Sequence, residues 1–330
     1  MKTDRHAIWV KPTVVVSKCL EFDACRYNGD KLKDEVVKLL KEYVRFIPVC
    51  PEVEIGLGIP RNTIRLVNTN NGTHLMEPKT GDDHTYKMEL FAKTFARGNQ
   101  EIDGFILKSK SPSCGIYGVK VYSKLEKSST MFTRSGVFAL NMKSAFHQIP
   151  IEEEGRLTNF EIRRHFFTSI FTIAEFRRML SQGIDAKSII KFHTRHKYLF
   201  MMYNQKATRE MGRLLAQMEA KKINQTAYLY FQNILRIFKR MPSKNSTTNV
   251  LMHIFGYFSK KLSKSERDHF LSLLNDYKNK FTSINVLNGI LSSWIKRFDE
   301  RYLRQQSFFT PFPAQLIIPL DSGKGRVIKN

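Results

Sequence analysis

Close cysteine pairs are missing from this sequence. Its 330 residues include four cysteines, at positions 19, 25, 50 and 114, and no C-x2-C spacing. Zinc fingers normally carry such pairs, so their absence argues against that class of site. Disulfides are rare in a reducing compartment, which is where we expect this chain. The spacing alone leaves two interpretations open: ligands for a soft metal, or buried reduced cysteines with no chemical role.

Long apolar runs are missing as well. No stretch of about eighteen apolar residues is present, which predicts that the chain has no transmembrane span. The N-terminal segment MKTDRHAIWVKPTVVVSKCL lacks a long apolar core and a small-residue cleavage site, unlike a secretory signal. We therefore expect a cytoplasmic protein without a membrane partner.

Acidic residues are scarce in the second part of the chain. We place a domain boundary after residue 154, where IPIEEEGRLTN (149–159) interrupts the preceding pattern. Residues 1–154 contain 23 basic and 19 acidic residues, whereas residues 155–330 contain 31 and 11. The net charge of +24 is thus concentrated as +20 in the second part. This asymmetry favours a polyanionic partner, nucleic acid before an anionic membrane, over a basic face that is merely solvated.

Three short apolar segments of the first part each precede a loop that contains a cysteine. They are residues 14–16 before Cys19, 47–49 before Cys50, and 104–107 before Cys114. Helical periodicity covers residues 32–46, and residues 85–101 are predicted to form another helix. This alternation predicts an α/β domain over residues 1–154 with a Rossmann-like parallel sheet. Ligands bind beyond the carboxyl ends of parallel strands, so we expect the three cysteines at one rim.

The second part, residues 155–330, is predicted to be all-α. Strand-like runs largely disappear and amphipathic periodicity replaces them. The predicted helices are 160–181, 184–205, 207–221, 224–240, 246–261, 264–279 and 283–305. Ser263 and Glu266 form an S-x-x-E capping box at the start of one of them. The tail after Thr310 contains three prolines and is predicted to be extended.

Turn formers and small polar residues flank the cysteines. Pro51 follows Cys50, and Ser111-Pro112-Ser113 precedes Cys114. Such surroundings supply N–H groups to thiolate or sulfide, which tunes an iron–sulfur cluster. A core cysteine more often lies inside an apolar run, so the flanks favour the metal-ligand interpretation.

Three segments resemble the signature motifs of the bacterial thiouracil desulfidase family. They are VSKCLEFDACRYNGD (16–30), PVCPEVEIGLGIPR (48–61) and LKSKSPSCGIYGVKVY (107–122). Two later segments resemble a YbgA-like domain: FHTRHKYLFMMYNQ (192–205) and NVLMHIFGYFSKKLS (249–263). The fusion of the two domains, with EEEGRL at 152–157, is similar to the tRNA 4-thiouridine desulfidases.

This resemblance implies a [4Fe–4S] cluster held by three cysteines, with the fourth iron open to the sulfur of the thiolated base. The implied ligands are Cys19, Cys50 and Cys114, and Cys25 is a neighbour rather than a ligand. Glu21 departs from the family pattern, because a glycine is usual just after Leu20. The implied reaction replaces C=S by C=O in 4-thiouridine of tRNA, which is a hydrolysis and not a net redox change.

Two motif residues are candidates for the proton transfers of that hydrolysis. Glu52, two residues after Cys50, is the predicted acid or base, and Ser111 could orient the water or the base. Each residue also has a structural interpretation. Glu52 could be a carboxylate at a helix start, and Ser111 a turn-forming serine before proline.

Basic doublets on the predicted helices could line one face that follows a phosphate backbone. They are Arg163-Arg164, Arg177-Arg178, Arg195-His196-Lys197, Lys221-Lys222, Lys239-Arg240, Lys260-Lys261 and Lys296-Arg297. We therefore predict that this domain binds tRNA, and no obligatory protein partner is implied. The tyrosines at 198, 228, 230 and 257 could stack on bases, although core packing is favoured for each. His193 and His196 favour packing or phosphate contact over a metal, since no carboxylate stands near them in the sequence.

Other functions are compatible with the sequence. One is a desulfidase that acts on free thiouracil, although a small base needs no surface of charge +20. A second is a non-catalytic RNA-binding protein with a structural metal site, and a third is a regulator of nucleic-acid repair.

Overall fold

The computed structural model of the chain describes residues 9–126 and 129–317. They form two compact units, one that reaches Ala174 and resumes at Gln315, and one that spans Glu175–Ala314. The boundary predicted after residue 154 is a different division and stays a prediction. Part of the predicted N-terminal segment (1–8) and of the predicted extended tail (318–330) lies outside the described residues.

Eight strands occur in the described part of the first unit. They are β1 (Thr13–Ser17), β2 (Arg45–Val49), β3 (Arg65–Thr69), β4 (Gly72–Met76), β5 (Gly104–Leu107), β6 (Val119–Tyr122), β7 (Thr130–Arg134) and β8 (Ile151–Glu153). One sheet has the order β2-β1-β5-β8, with every pairing parallel. All residues of β1 and β5 are buried, as expected for central parallel strands covered on both faces. The predicted parallel sheet is therefore confirmed.

A second sheet, with the order β4-β3-β6-β7, was not predicted from the sequence. Strands β3 and β6 pair in parallel, while β4 and β7 add antiparallel at the two edges. No residue of β7 is buried. A strand without a buried face has no apolar alternation, which explains why the pattern gave no signal there.

The helices of the first unit are short except for one. They are α1 (Glu35–Leu40), α2 (Pro51–Glu54), α3 (Thr85–Gly98) and α4 (Val137–Ala145), followed by the start of α5 (Phe160–Ser181). Helix α3 confirms the predicted helix, but the predicted helix over 32–46 is wrong outside α1. Its last residues belong to β2, because Arg45 pairs with Thr13 and its N–H donates to Pro12 O at 2.8 Å. Pairing with β1 therefore overrides the helical periodicity there.

The second unit is helical, which confirms the predicted all-α class. After α5, which crosses from the first unit, come α6 (Ala186–Tyr203), α7 (Gln205–Ala216), α8 (Ile223–Ile237), α9 (Lys244–Phe255), α10 (Lys264–Lys278), α11 (Ile284–Arg297) and α12 (Arg301–Arg304). The capping box of Ser263 and Glu266 is present. The single helix predicted over 283–305 is wrong, because Asp299 takes a φ of +49° and breaks it. Within the described ranges, no helix is both long enough and apolar enough to cross a bilayer.

Candidate active site

A cavity of about 320 Å³ lies at the carboxyl ends of the parallel strands. This volume is at the lower end of the roughly 300–1,000 Å³ typical of small-molecule sites. The loops after β1, β2 and β5 bring Cys19, Cys50 and Cys114 to its wall, and Cys25 lines it too. All four cysteines are buried. The structure therefore brings together the three cysteines that the sequence placed at one rim.

The thiol of Cys25 lies between those of Cys19 and Cys50. Its hydrogen bond with Cys19, assisted by burial, raises the pKa of Cys25 to about 11. The hydrogen bond with Cys25 and burial raise the pKa of Cys50, and burial raises the pKa of Cys114. These three thiols therefore favour the protonated form, and their thiolates need a compensating cation.

Helix α2 and the loop after it position Glu52. Cys50 is at the N-cap position without a side-chain capping bond, and Pro51 occupies the first turn, where a missing N–H costs nothing. Gly56 and Gly58 then take φ values of +89° and +73°, a region that suits glycine. These turns reverse the chain and return Arg61 to the Glu52 carboxylate.

Arg61 and Glu52 form a buried ion pair in the cavity wall. Arg61 donates from Nε and Nη2 to Glu52 Oε2 at 2.9 and 2.7 Å. Its Nη1 donates to the carbonyls of Cys25 and Gly58, both at 3.0 Å, and Nη2 lies 3.9 Å from Cys50 Sγ. The Arg61 side chain is 5% exposed. One guanidinium thus fixes the candidate acid–base residue and two cysteine loops together, which the sequence analysis did not foresee.

The other carboxylate oxygen of Glu52 faces two serines. Ser113 Oγ donates to Glu52 Oε1 at 3.0 Å, while Ser111 Oγ lies 3.4 Å from the same atom. Ser111 Oγ also accepts from the N–H groups of Ser113 and Cys114, at 3.2 and 3.0 Å. Ser111 therefore closes the turn that carries Cys114. The hydroxyl nearest to Glu52 is that of Ser113, which the sequence analysis did not single out.

Two carboxylates at the end of β8 hold the Cys114 loop. Glu153 Oε1 accepts from the N–H groups of Ile116 and Tyr117, at 2.7 and 3.0 Å. Glu154 accepts from both the N–H and the Oγ of Ser109 at 2.7 Å, and pairs with Lys108 Nζ at 2.5 Å. In the sequence these acids are part of the predicted junction between domains. Their run of three next to an apolar Ile-Pro-Ile segment was the available signal for a strand end.

The cavity does not have the geometry of a single-ion site. Across residues 9–126 and 129–317, no group of three or more His, Cys, Asp or Glu side chains converges closely enough to hold a metal ion. Thiols on separate loops around a cavity suit a larger group in which different irons bind different cysteines. The donor set is soft, as iron–sulfur clusters require.

Glu21 occupies the position where the family pattern has glycine. Its φ is +66°, so the backbone there does adopt the conformation that glycine favours. The Glu21 side chain compensates by accepting from the N–H of Asp34 at 2.7 Å. Lys41 Nζ donates to the Glu21 carbonyl at 2.9 Å. The loop after Cys19 is therefore tied to the start of α1 despite the missing glycine.

In the second unit, most of the predicted aromatic and histidine candidates are packing residues. Tyr230 is fully buried and its hydroxyl lies 2.9 Å from His193 Nδ1, and burial lowers the pKa of His193 to about 4. Tyr198 is also buried, whereas Tyr228 is 61% exposed and Tyr257 is 39% exposed. Tyr257 stacks on Tyr302 and is hydrogen-bonded to Tyr198, so of these four tyrosines Tyr228 is the one left open to a ligand.

His196 has a carboxylate neighbour that sequence proximity did not reveal. Its Nε2 lies 3.3 Å from Glu175 Oε2, and its Nδ1 lies 2.7 Å from Ser307 Oγ. Arg195 also pairs with Glu175. The fold thus brings to His196 a carboxylate from 21 positions away, and the predicted packing role holds, because His196 is 2% exposed.

One predicted basic doublet is not a surface pair. Arg163 is 3% exposed and donates to the carbonyls of Leu157 and Thr158, at 2.8 and 3.0 Å. It fixes the chain before α5 and is not available to a phosphate. The doublet Lys239-Arg240, by contrast, is exposed.

Comparison with known proteins matches the two parts of the chain separately. A family model described as 2-thiouracil desulfurase matches residues 14–154, and one described as a protein of unknown function (DUF1722) matches residues 197–313. YbbK of Bacillus subtilis is 32% identical over 151 residues, which cover 43% of this chain and 96% of that protein. YbgA of Escherichia coli is 22% identical over 145 residues, 44% of this chain and 86% of that protein.

A solved structure, a [4Fe-4S]-dependent thiouracil desulfidase named TudS, is 26% identical. It covers 44% of this chain and 93% of its own, with a TM-score of 0.35. The family matches confirm the resemblance drawn from the three cysteine motifs and the YbgA-like segments, and with it the enzyme class.

Proposed function

The chain belongs to the 2-thiouracil desulfurase family, and we propose that it is a [4Fe–4S]-dependent desulfidase that converts 4-thiouridine in tRNA to uridine. The observation that carries this proposal is the cavity lined by three buried thiols from three strand ends and by a carboxylate held by arginine. Water supplies the oxygen that replaces sulfur, and sulfur leaves as sulfide, so no oxidant or reductant is needed.

The residues that would hold the cluster are Cys19, Cys50 and Cys114, each from a different strand end. When bound through three thiolates, the cluster supplies an iron with a free coordination position, a Lewis acid for the sulfur of the base. Cys25 has its thiol among the same group but belongs to the loop of Cys19. We assign it a supporting role in that loop.

Glu52 is the residue that moves the proton. Its Oε2 is fixed by two N–H donors of Arg61, so its orientation cannot drift, while Oε1 accepts from the buried Ser113 hydroxyl and lies 3.4 Å from the hydroxyl of Ser111, which lines the cavity. A fixed carboxylate can take a proton from water at Oε1 and return it to the ring nitrogen or the leaving sulfur. Ser111 orients the Cys114 N–H and holds the loop in place.

The choice of tRNA over a free base rests on charge. Residues 155–330 carry a net charge of +20, and a neutral base of a few atoms gives such a surface nothing to bind. A phosphate backbone can bind such a surface, because each contact between a cation and a phosphate releases condensed counterions. The exposed Tyr228 is available to stack on an unpaired base.

The test is anaerobic turnover by the full chain. Protein reconstituted with iron and sulfide is incubated with tRNA that contains 4-thiouridine, and the thiolated-base absorbance is followed. We expect the absorbance to disappear and free sulfide to appear in equal amount. An intact cluster with unchanged absorbance contradicts the proposal. Turnover of free 4-thiouracil with none of tRNA would leave a desulfidase and remove the tRNA assignment.

A further inference from the structure

The second sheet has two faces of opposite character. One face is apolar and belongs to the hydrophobic core through Leu66, Leu75, Val119 and Val121. Side chains alternate between the faces of a strand, so Arg65 of β3 and Lys120 and Tyr122 of β6 belong to the other face. Thr133 of β7 pairs with Lys120 and lies on the same side. We call the surface formed by Arg65, Lys120, Tyr122 and Thr133 the outer face.

The strands of this sheet hold the net positive charge of the first part of the chain. Residues 65–76 and 119–134 contain five basic residues and one acidic residue, whereas residues 1–154 as a whole have a net charge of +4. The rest of the first part therefore carries no net charge. Arg65 donates to the carbonyl oxygen of Glu126 at 3.3 Å. In the part of the chain that the structure describes, neither Arg65 nor Lys120 forms an ion pair with a carboxylate.

Tyr122 adds an aromatic ring to these cations. The ring is partly exposed, and the Arg65 guanidinium lies 4.9 Å from its centroid. Lys120 is exposed and stands two residues before Tyr122, on the same side of β6 and about 7 Å away along the strand. A stacking ring beside cations on a sheet surface is the combination with which several sheet proteins hold unpaired bases of RNA.

The outer face begins beside the cavity without being part of it. Ile64 lines the cavity and is followed directly by Arg65, the first residue of β3. Strand β6 starts five residues after Cys114. Arg65, Lys120 and Tyr122 do not themselves line the cavity. A polynucleotide with one base in the cavity can therefore lay its neighbouring nucleotides along this sheet.

Charge and shape together select the occupant of the outer face. A second copy of the chain would bring like charges against each other, which disfavours self-association through this face. An acidic peptide would satisfy Arg65 and Lys120, but its carboxylates offer Tyr122 no flat group to stack on. A single-stranded polynucleotide supplies both phosphates and flat bases.

We propose that the outer face of the second sheet binds the single-stranded nucleotides that adjoin the thiolated one. Lys120 and Arg65 contact phosphates, and Tyr122 stacks on a base. This inference rests on the proposed function and gives the first part of the chain its own contact with RNA, outside the cavity and separate from the basic second part. These residues take no part in the hydrolysis.

The first experiment locates the contact. A short single-stranded oligonucleotide carries 5-iodouridine on both sides of a central uridine, which is the product of the proposed reaction and is not consumed. It is bound to the reconstituted full chain, irradiated and mapped by mass spectrometry. We expect a crosslinked peptide that contains Tyr122, and its loss in Tyr122→Leu. Crosslinks confined to residues 155–330 overturn the proposal.

The second experiment measures affinity for the same oligonucleotide by fluorescence anisotropy. Tyr122→Leu should weaken binding by roughly tenfold, the loss of one stacked base, whereas Tyr122→Phe keeps the ring and should bind as the wild type does. Lys120→Gln should lower the slope of log affinity against log salt by about 0.7, one phosphate contact of a single strand. The matched controls are Tyr86→Leu and Lys93→Gln, which alter exposed residues of α3 and should change neither quantity.

Two results of this experiment contradict the proposal. One is equal losses in the α3 controls and in the outer-face variants, or no loss in either. The other comes from light scattering: a dimer of the wild type that Tyr122→Leu dissociates would assign the outer face to a second copy of the chain.

The third experiment separates this proposal from the proposed function. With thiolated tRNA, Tyr122→Leu should lower kcat/KM by roughly tenfold, and with free 4-thiouracil it should change nothing. If the oligonucleotide binds in a Tyr122-dependent way but no substrate is desulfurated, the surface stands and the proposed reaction is wrong. If thiolated tRNA is desulfurated equally well by Tyr122→Leu and Lys120→Gln, the reaction stands and the surface is wrong.

Discussion

The two parts of the chain use positive charge in opposite ways. Around the cavity of the first part, most cations are neutralised by a carboxylate within 4 Å, and each such pair fixes a loop. In residues 155–330 the 31 basic residues far outnumber the 11 acidic ones, so most cations there have no acidic counterpart. Paired charge builds local geometry, whereas surplus charge attracts a distant polyanion. The four predictions that follow test this contrast.

Removing a thiol should have the largest effect. Cys50→Ala, like Cys19→Ala and Cys114→Ala, should lose bound iron and all measurable desulfuration, because each thiol comes from a different strand end. Cys25→Ala should keep its iron, since its thiol contacts the other cysteines from within the Cys19 loop. Iron content and ultraviolet–visible absorbance after reconstitution show whether each variant holds the cluster. Loss of iron in Cys25→Ala would make it a fourth ligand and contradict our assignment.

Neutralising Glu52 should have the next largest effect. Glu52→Gln keeps the shape and removes the proton acceptor, so kcat should fall by about 10²–10⁴-fold while the iron content is unchanged. The kcat of Arg61→Lys should lie between that of Glu52→Gln and that of the wild type, since one ammonium cannot make both hydrogen bonds to Oε2. Single-turnover rates with quantified iron measure both variants. An iron loss in Glu52→Gln would assign the residue a structural role.

Weakening the surplus charge should affect only large substrates. Replacing Lys239 and Arg240 with glutamine should reduce tRNA affinity and lower the slope of log affinity against log salt by up to about 2, one unit per lost phosphate contact. Desulfuration of free 4-thiouracil should be unaffected, because the doublet is remote in sequence from every cavity residue. Filter binding at several salt concentrations gives the slope. A parallel loss with the free base would show that the change is not electrostatic.

Acid should destabilise the second part through a neutral buried histidine. The pKa of His193 is about 4 in the folded chain and about 6.5 when unfolded. The unfolded state therefore takes up the proton first, and stability is lost as pH falls from about 6.5 to about 4. The loss is up to about 3 kcal/mol. Urea unfolding of His193→Gln should show a flatter pH dependence than the wild type, and the exposed His269→Gln should not.

Strands β1 and β5, which precede two of the cysteine loops, were predictable because burial on both faces leaves a continuous apolar run, as in Val14–Val16. The shape of the cavity was not, because it depends on polar contacts between residues far apart in sequence. Ser113 meets Glu52 across 61 positions, and Ser109 meets Glu154 across 45. A one-dimensional pattern shows neither pair. The motif that contains Arg61 was recognised in the sequence. The role of Arg61 could not be predicted, because it depends on the loop that returns this residue to the cavity wall.

The helical part was predictable for a different reason. Amphipathic periodicity is local, so the existence of α5 to α11 follows from spacing alone. Ends were less certain: α11 stops at Arg297, and the positive φ of Asp299 has no spacing signal. The packing of His196 against Glu175 and Ser307 joins three distant segments and was likewise invisible in the sequence.

The position of β8 at the edge of the parallel sheet sets the order in which the cavity can be finished. A ribosome releases Cys19, Cys25, Cys50 and Cys114 well before Glu153 and Glu154, which hold the last cysteine loop. The nascent chain thus carries all four thiols for a time without the residues that close their cavity. We therefore expect stable cofactor loading only after β8 has joined the sheet. Truncation before residue 151 yields a chain with every cysteine and no finished site.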